Sequence, residues 1–258
     1  MSVARSDPVR HRHAAVLISD VHLDASAPRT AAAFLDFLGR HGRDTRALYM
    51  LGDLFDAWPG DDAASLPFNA TIVSALRAVS ESGTTVWWMA GNRDFLLGPG
   101  FAMAARLTIL PDPSVMEIGG LRVVLAHGDA QCTDDIGYQA FRMQVRNPAW
   151  QKEFLARPLA ERLHLIAGMR EGSRQAQRGK TAEIMDVNAS AVTRLFDASA
   201  ATRMIHGHTH RPAVHHTHGP DGTPRTRHVL SDWDFDGATP RGGGLAIEED
   251  GSIVPLSL

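Results

Sequence analysis

Short runs of aliphatic and β-branched residues recur along the first half of the chain, at residues 14–19, 47–51, 84–90 and 121–126. Each stops abruptly at a cluster of Gly, Asp, Asn or His. Runs this short and this continuously apolar predict strands buried on both faces. Between them, residues 29–39 and 69–82 carry apolar positions at helical spacing, and Gly39 and Gly83 stand where those helices should stop. Strand and helix in alternation predict an α/β layered fold. From about residue 134 to residue 200 the pattern changes: Ala, Leu, Met, Gln and Arg dominate, and several helices are expected as an insertion. Strand-like runs return at 203–206, 228–231 and 244–258, separated by Gly- and Pro-rich loops.

Composition narrows the picture. A chain of 258 residues with 44% apolar residues can build one large domain with a buried core. The formal charge of -3 gives no case for nucleic-acid binding, but it hides an uneven distribution. Between Tyr138 and Lys180 there are nine Lys or Arg against three acids, so the insertion should be a set of basic amphipathic helices, by default with a solvated basic face. The single cysteine, Cys132, excludes an internal disulfide framework and a multi-cysteine zinc site, and points to a reducing, cytosolic setting. Residues 1–13 are polar with scattered Arg, so they are expected to form a flexible tail, with His11 and His13 solvated, ahead of a domain over 14–258. Neither a signal peptide nor a membrane span is expected.

Five polar clusters carry the chemistry: Asp20-Val21-His22, Gly52-Asp53, Gly91-Asn92-Arg93-Asp94, His127-Gly128-Asp129 and Gly207-His208-Thr209-His210. Singly, each reads as a turn or a cap. Together, each at the expected C-terminal end of a strand, they converge where α/β sheets present ligands. Carboxylate, imidazole and amide donors without thiolates suit a hard or borderline divalent ion such as Mn, Fe, Zn or Mg. Seven such donors exceed the needs of one ion and suit two, about 3.5–4 Å apart, sharing a carboxylate. Paired cations activate water and neutralise phosphate oxygens, so hydrolysis of a phosphate or pyrophosphate bond is the expected reaction.

The five blocks, in this order, resemble those of the calcineurin-like metallophosphoesterase superfamily. The resemblance implies a four-layer α/β/β/α sandwich with a helical insertion acting as a lid. It places Asp20, His22 and His210 on one metal, Asn92, His127 and His208 on the other, and Asp53 between them, with Asn92 and Arg93 also meeting substrate phosphates. Asp53, Asn92, Arg93 and His127 are the expected catalytic residues. Residues 126–135, 184–188 and 205–214 are further similar to the UDP-2,3-diacylglucosamine diphosphatases of lipid A biosynthesis. That likeness implies two Mn2+ ions, water attack on the α-phosphorus, and release of UMP and 2,3-diacylglucosamine 1-phosphate. It also implies substrate contacts at Asp135, Ser173, Gln177, Lys180 and His208, a cap that covers acyl chains, and peripheral attachment to the cytoplasmic face of the inner membrane.

Other residues support plainer readings. His206 is either a phosphate-facing acid or a buried, hydrogen-bonded ring. Asp56, Asp94, Asp129 and Asp134 either orient metal-binding imidazoles or an Arg, or serve as caps and turns. His215, His216 and His218 fit an exposed strand tip, Cys132 a small buried residue, and Trp87, Trp88 and Met89 a core strand. Among competing functions, another phosphodiesterase or a nuclease shares the metal blocks, but a nuclease should carry interleaved stacking aromatics that residues 134–200 lack. A scaffold that had lost its metals would show damaged ligand blocks, and a purely lipid-binding adaptor would show no metal-dependent turnover.

Overall fold

The computed structural model describes residues 12–179, 181 and 184–258, leaving aside the side chain of residue 177. In chain order the elements are β1 (Ala15–Ile18), α1 (Pro28–Phe37), β2 (Ala47–Leu51), α2 (Pro67–Glu81), β3 (Thr85–Met89), α3 (Pro99–Ala105), β4 (Thr108–Leu110), β5 (Ser114–Ile118) and β6 (Leu121–Ala126). The cap follows as α4 (Ile136–Val145), α5 (Pro148–Leu155) and α6 (Leu159–Gln177), and then come α7 (Ala189–Ser199), β7 (Arg203–His206), β8 (Ala213–His218), β9 (Pro224–Val229), β10 (Gly244–Ile247) and β11 (Ile253–Leu256). Proline opens α1, α2, α3 and α5, where its missing N–H costs nothing. The side chains of Asp135, Asn147 and Asn188 accept backbone N–H groups at the starts of α4, α5 and α7.

The strands form two sheets, ordered β11-β10-β1-β2-β3-β4 and β5-β6-β7-β9-β8. Alternation along each central strand explains why both faces are apolar. Val16 and Ile18, Leu48 and Met50, and Val86 and Trp88 point to a core shared with Phe34 and Phe37 of α1, Leu76 of α2 and Phe101 of α3. Their neighbours Leu17, Tyr49, Leu51 and Met89 point the other way, against Val123, Leu125 and Ile205 of the second sheet. Val124, Ala126 and Met204 face out from that sheet onto Val192 and Phe196 of α7. The result is the expected four-layer α/β/β/α sandwich, and it places α7 in the outer helical layer, against β6 and β7.

Several sequence expectations change at the edges. β4 and β5 were not anticipated, β4 spanning only Thr108–Leu110, and the exposed strand tip expected at His215, His216 and His218 is a full polar edge strand, β8, with little apolar alternation. The run at 228–231 is the end of the longer β9, and 244–258 divides into the β10–β11 hairpin. α1 runs past Gly39 through a wide turn to Gly42, where a Cβ would lie 3.3 Å from Leu38. His13 is buried rather than solvated, and its Nδ1 lies 2.9 Å from Glu248 Oε1, while His11 falls outside the described residues.

Part of the basic face of the cap is turned onto the core, while Lys152, Arg174 and Arg178 are exposed. On α4, Arg142 Nε donates to Asp129 at 2.8 Å and Arg146 donates to the carbonyl of Gly91 at 2.7 Å. On α6, buried Arg162 donates to the carbonyl of Pro59 and pairs with Asp62, and Arg170 pairs with Asp56. Four cap cations thus bind core acceptors, and this fixes where the cap sits. Arg157 and Arg174 pair instead with acids of the cap's own helices.

Phe37 is fully buried and packs edge-on against Trp233 at 5.3 Å. Phe37→Ala should lower unfolding free energy by about 3–5 kcal/mol, read as a shifted urea midpoint at unchanged slope. A loss under about 1 kcal/mol would mean that α1 contributes little to the core.

Candidate metal centre and active site

Parallel strands β1, β2, β3, β6 and β7 deliver their C-terminal loops to one end of the sandwich. The loop after β1 brings Asp20 and His22, that after β2 Asp53, that after β3 Asn92 and Arg93, that after β6 His127, and that after β7 His208 and His210. The backbone there is unusual. Asp20, His22, Asp53, His208 and His210 all have φ between 52° and 68°, the left-handed region that non-glycine residues enter at about 1–3 kcal/mol each. Of the seven non-glycine residues with positive φ among the described residues, five are candidate ligands. Glycine is required beside them: a Cβ on Gly91 would fall 2.0 Å from Asp53 Oδ1, and one on Gly207 would fall 2.1 Å from Asp20 Oδ2.

The seven donors form one cluster. Nε2 of His22 and Nε2 of His210 stand 3.2 Å apart and 3.9 Å and 3.5 Å from Asp20 Oδ1. On the other side, Asn92 Oδ1 lies 3.0 Å from His127 Nε2 and 2.8 Å from His208 Nδ1. Asp53 lies between, with Oδ2 3.9 Å from His22 Nδ1 and Oδ1 3.8 Å from His127 Nε2.

The electrostatics fit divalent cations. Burial holds His22 down to about 3 and His208 down to about 4, so both rings are neutral with lone pairs available. His127 Nδ1 donates to the carbonyl of Leu51 at 2.8 Å, so in the neutral ring Nε2 presents a lone pair to Asn92 Oδ1. Two lone pairs at that distance call for a cation or a proton between them. Burial opposes the charged form of His127, but the Asp53, Asp129 and Asp20 carboxylates outweigh it and raise the ring to about 9. Burial, reinforced by Asp94 and Asp20, raises Asp53 to about 7. Asp20 Oδ1 is buried without a hydrogen-bond partner. Oxygen and imidazole donors converging this closely, with His22 and His208 neutral and Oδ1 of Asp20 unpartnered, are what divalent ions would satisfy.

Around the cluster, supporting residues hold the donors in place. Asp94 accepts backbone N–H groups from Leu54 at 2.7 Å and Gly91 at 2.9 Å, tying two ligand loops together. Asp129 accepts from Tyr138 Oη at 2.5 Å and from Arg142, and Asp134 accepts from the Asn188 amide at 3.0 Å. His206 is a buried ring whose Nδ1 donates to the Gly207 carbonyl and whose Nε2 accepts from Arg227, and burial holds it down to about 3. Cys132 is buried, its thiol pushed up to about 12 by burial, and His215, His216 and His218 are exposed on β8. Trp88 and Met89 are core residues, and Trp87 stacks on Tyr49.

A cavity of about 570 Å3 opens beside the cluster, between the core loops and helices α4 and α6. Asn92, Arg93, Asp135 and Ser173 line it, whereas Lys180 and the side chain of Gln177 lie outside the described residues. Tyr138 and Arg170 also line it and were not singled out from the sequence; Arg170 pairs with Asp56, which lies 3.7 Å from Arg93. Asp232 was missed as well. Its Oδ2 lies 3.4 Å from His210 Nδ1, and Arg241 Nε reaches both of its oxygens at 3.0 Å. The signal existed, since Asp232 directly follows the strand-like run at 228–231, the placement that marked the other five clusters.

Residues 14–212 match the family model described as calcineurin-like phosphoesterase. A protein of Aromatoleum aromaticum named UDP-2,3-diacylglucosamine hydrolase is 50% identical over 86% of this chain and 90% of its own length. Proteins with that name from Pseudomonas entomophila and Escherichia coli O7:K1 are 46% and 47% identical, over 92% and 87% of this chain and 95% and 93% of their own lengths.

Gly207→Ala tests the close approach directly. The added methyl should displace Asp20 and weaken divalent-ion binding about ten- to hundredfold in a calorimetric titration, with the circular dichroism spectrum retained. Unchanged affinity would show that the loop yields without cost.

Proposed function

The chain belongs to the calcineurin-like phosphoesterases and, within them, to the UDP-2,3-diacylglucosamine hydrolases, and from this membership we propose that it cleaves the pyrophosphate bond of UDP-2,3-diacylglucosamine. Water adds to the α-phosphorus and the bond to the bridging oxygen breaks, leaving UMP and 2,3-diacylglucosamine 1-phosphate. The observation that carries the reading is the junction of a seven-donor cluster with an apolar-walled cavity: Asn92 belongs to both, and the neighbouring Arg93 lines the cavity. One end suits a diphosphate, the other a hydrocarbon chain.

Two Mn2+ ions are the cofactors we assign, one held by Asp20, His22 and His210, the other by Asn92, His127 and His208, with Asp53 shared. Bound there, they would lower the pKa of an attacking water and withdraw charge from the phosphate. The chain's own residues do the rest. Arg93 is placed to bind phosphate oxygens bidentately and to balance charge that grows as the bond breaks. Its backbone N–H donates to Asp53 Oδ1 at 2.8 Å, so the phosphate-binding loop and the shared carboxylate move together. Asp232 orients the His210 ring from 3.4 Å, and Asp129, held by Tyr138 and Arg142, adds negative charge near His127.

Asp135, Ser173, Gln177, Lys180 and His208 are assigned to the substrate, with α4 to α6 as the cap over its acyl chains. No helix among the described residues is long and apolar enough to cross a membrane. Peripheral contact with the inner membrane, from the cytoplasmic side, is supported by Ile136 and Met143, which are 79% and 71% exposed seven residues apart along α4.

The experiment is hydrolysis of UDP-2,3-diacylglucosamine by the purified protein, with and without manganese, beside Asp53→Ala and a panel of simple phosphodiesters. UMP should appear only with both manganese and Asp53, and a chelator should stop it. Turnover of simple diesters alone would discard the substrate and keep the hydrolase.

A further inference from the structure

A second, smaller cavity of about 210 Å3 lies inside the cap, lined by Trp150, Glu153, Phe154, Arg157, Leu165 and Met169. Its walls are mostly apolar: Trp150 and Phe154 stack at 5.0 Å, and the polar members, Glu153 and Arg157, pair with one another at 3.5 Å. Met169 lines this pocket and the catalytic cavity alike. The pitch of α6 explains why. Leu165 and Met169, four residues apart, face the small pocket, while Ile166, Met169, Arg170 and Ser173 face the large one, so Met169 lies where the two stripes meet. The rest of the partition is also side chain, since Phe95 of the catalytic cavity approaches Trp150 with ring centroids 6.3 Å apart. An unbranched thioether is the side chain best able to swing aside without disturbing the helix.

We propose that this pocket is a second alkyl-binding site, which takes the distal end of an acyl chain entering from the catalytic cavity, and that Met169 sets how long a chain is accepted. The proposal rests on the acylated substrate assigned above. The occupant is a hydrocarbon chain because the pocket adjoins the cavity assigned to such chains, is separated from it by side chains with flexible Met169 shared between the two, and has its only charged members, Glu153 and Arg157, paired with one another.

The test compares hydrolysis, by the manganese-loaded full chain, of two UDP-diacylglucosamines differing only by a few methylenes per acyl chain. Leu165→Trp fills the pocket without touching the catalytic cavity, and should lower kcat/KM for the longer substrate by about fourfold per methylene excluded, leaving the shorter unchanged. Met169→Ala should raise the ratio of long to short. A long-to-short ratio identical in wild type and both variants would overturn the proposal. Failure of the substrate assignment would look different, as no turnover at either length. In that case a brominated acyl-glucosamine 1-phosphate still decides the matter: it should quench fluorescence that Trp150→Phe removes, and equal quenching in both proteins would overturn the pocket.

Discussion

Everything at the strand ends depends on keeping carboxylates out of water without leaving them uncompensated. Asp20, Asp53, Asp94 and Asp129 are all but fully buried within one loop cluster, and each such charge costs several kcal/mol unless something nearby answers it. Asp94 is answered by backbone N–H groups, and Oδ2 of Asp129 by Tyr138 and the Arg142 guanidinium, while its Oδ1 has no hydrogen-bond partner. Asp20 and Asp53 each accept one backbone N–H, from His208 at 2.7 Å and from Arg93 at 2.8 Å, and otherwise face imidazoles, and Oδ1 of Asp20 has no hydrogen-bond partner. The Asp20 and Asp53 oxygens turned toward the imidazoles are the part of the cluster that suits metal ions, and Asp94, tied to two ligand loops, belongs to its frame.

That frame dictates the backbone around it. Five donors converge only because their residues accept left-handed conformations, and the loops close only because Gly52, Gly91 and Gly207 leave room for the neighbouring ligand. Such strain persists when the surrounding structure over-determines it. Here the two packed sheets do so, since the ligand loops spring from strands buried on both faces.

The cap is tied to the same network. Arg142 reaches the aspartate beneath His127, Arg146 the carbonyl of Gly91 beside Asn92, and Arg170 the Asp56 that faces Arg93. Cap position and site geometry are thus coupled through charge-assisted hydrogen bonds rather than through apolar packing alone. Those same arginines, counted along the sequence, had looked like an ordinary basic face, because the chain's linear order says nothing of the acceptors that meet them, 13 residues away for Arg142, 55 for Arg146 and 114 for Arg170.

The sequence by itself determined the layers and the donors. Short doubly apolar runs ending in Gly-Asp, Gly-Asn and Gly-His can be buried strands delivering ligands and little else, and the seven candidate ligands do come together in space. What it could not settle was anything resting on contacts between distant segments. Edge strands β4 and β8 carry no clear period, since β4 is three residues long and β8 is exposed at five of its six positions, and His13 looked solvated because its partner, Glu248, is 235 residues away. Asp232 drew no reading along the chain, and only the fold, by carrying the end of β9 past β7, brings it to His210. Tertiary structure decided those pairings because a hydrogen bond between remote residues is set by how layers stack, whereas local pattern records only which face of an element turns inward.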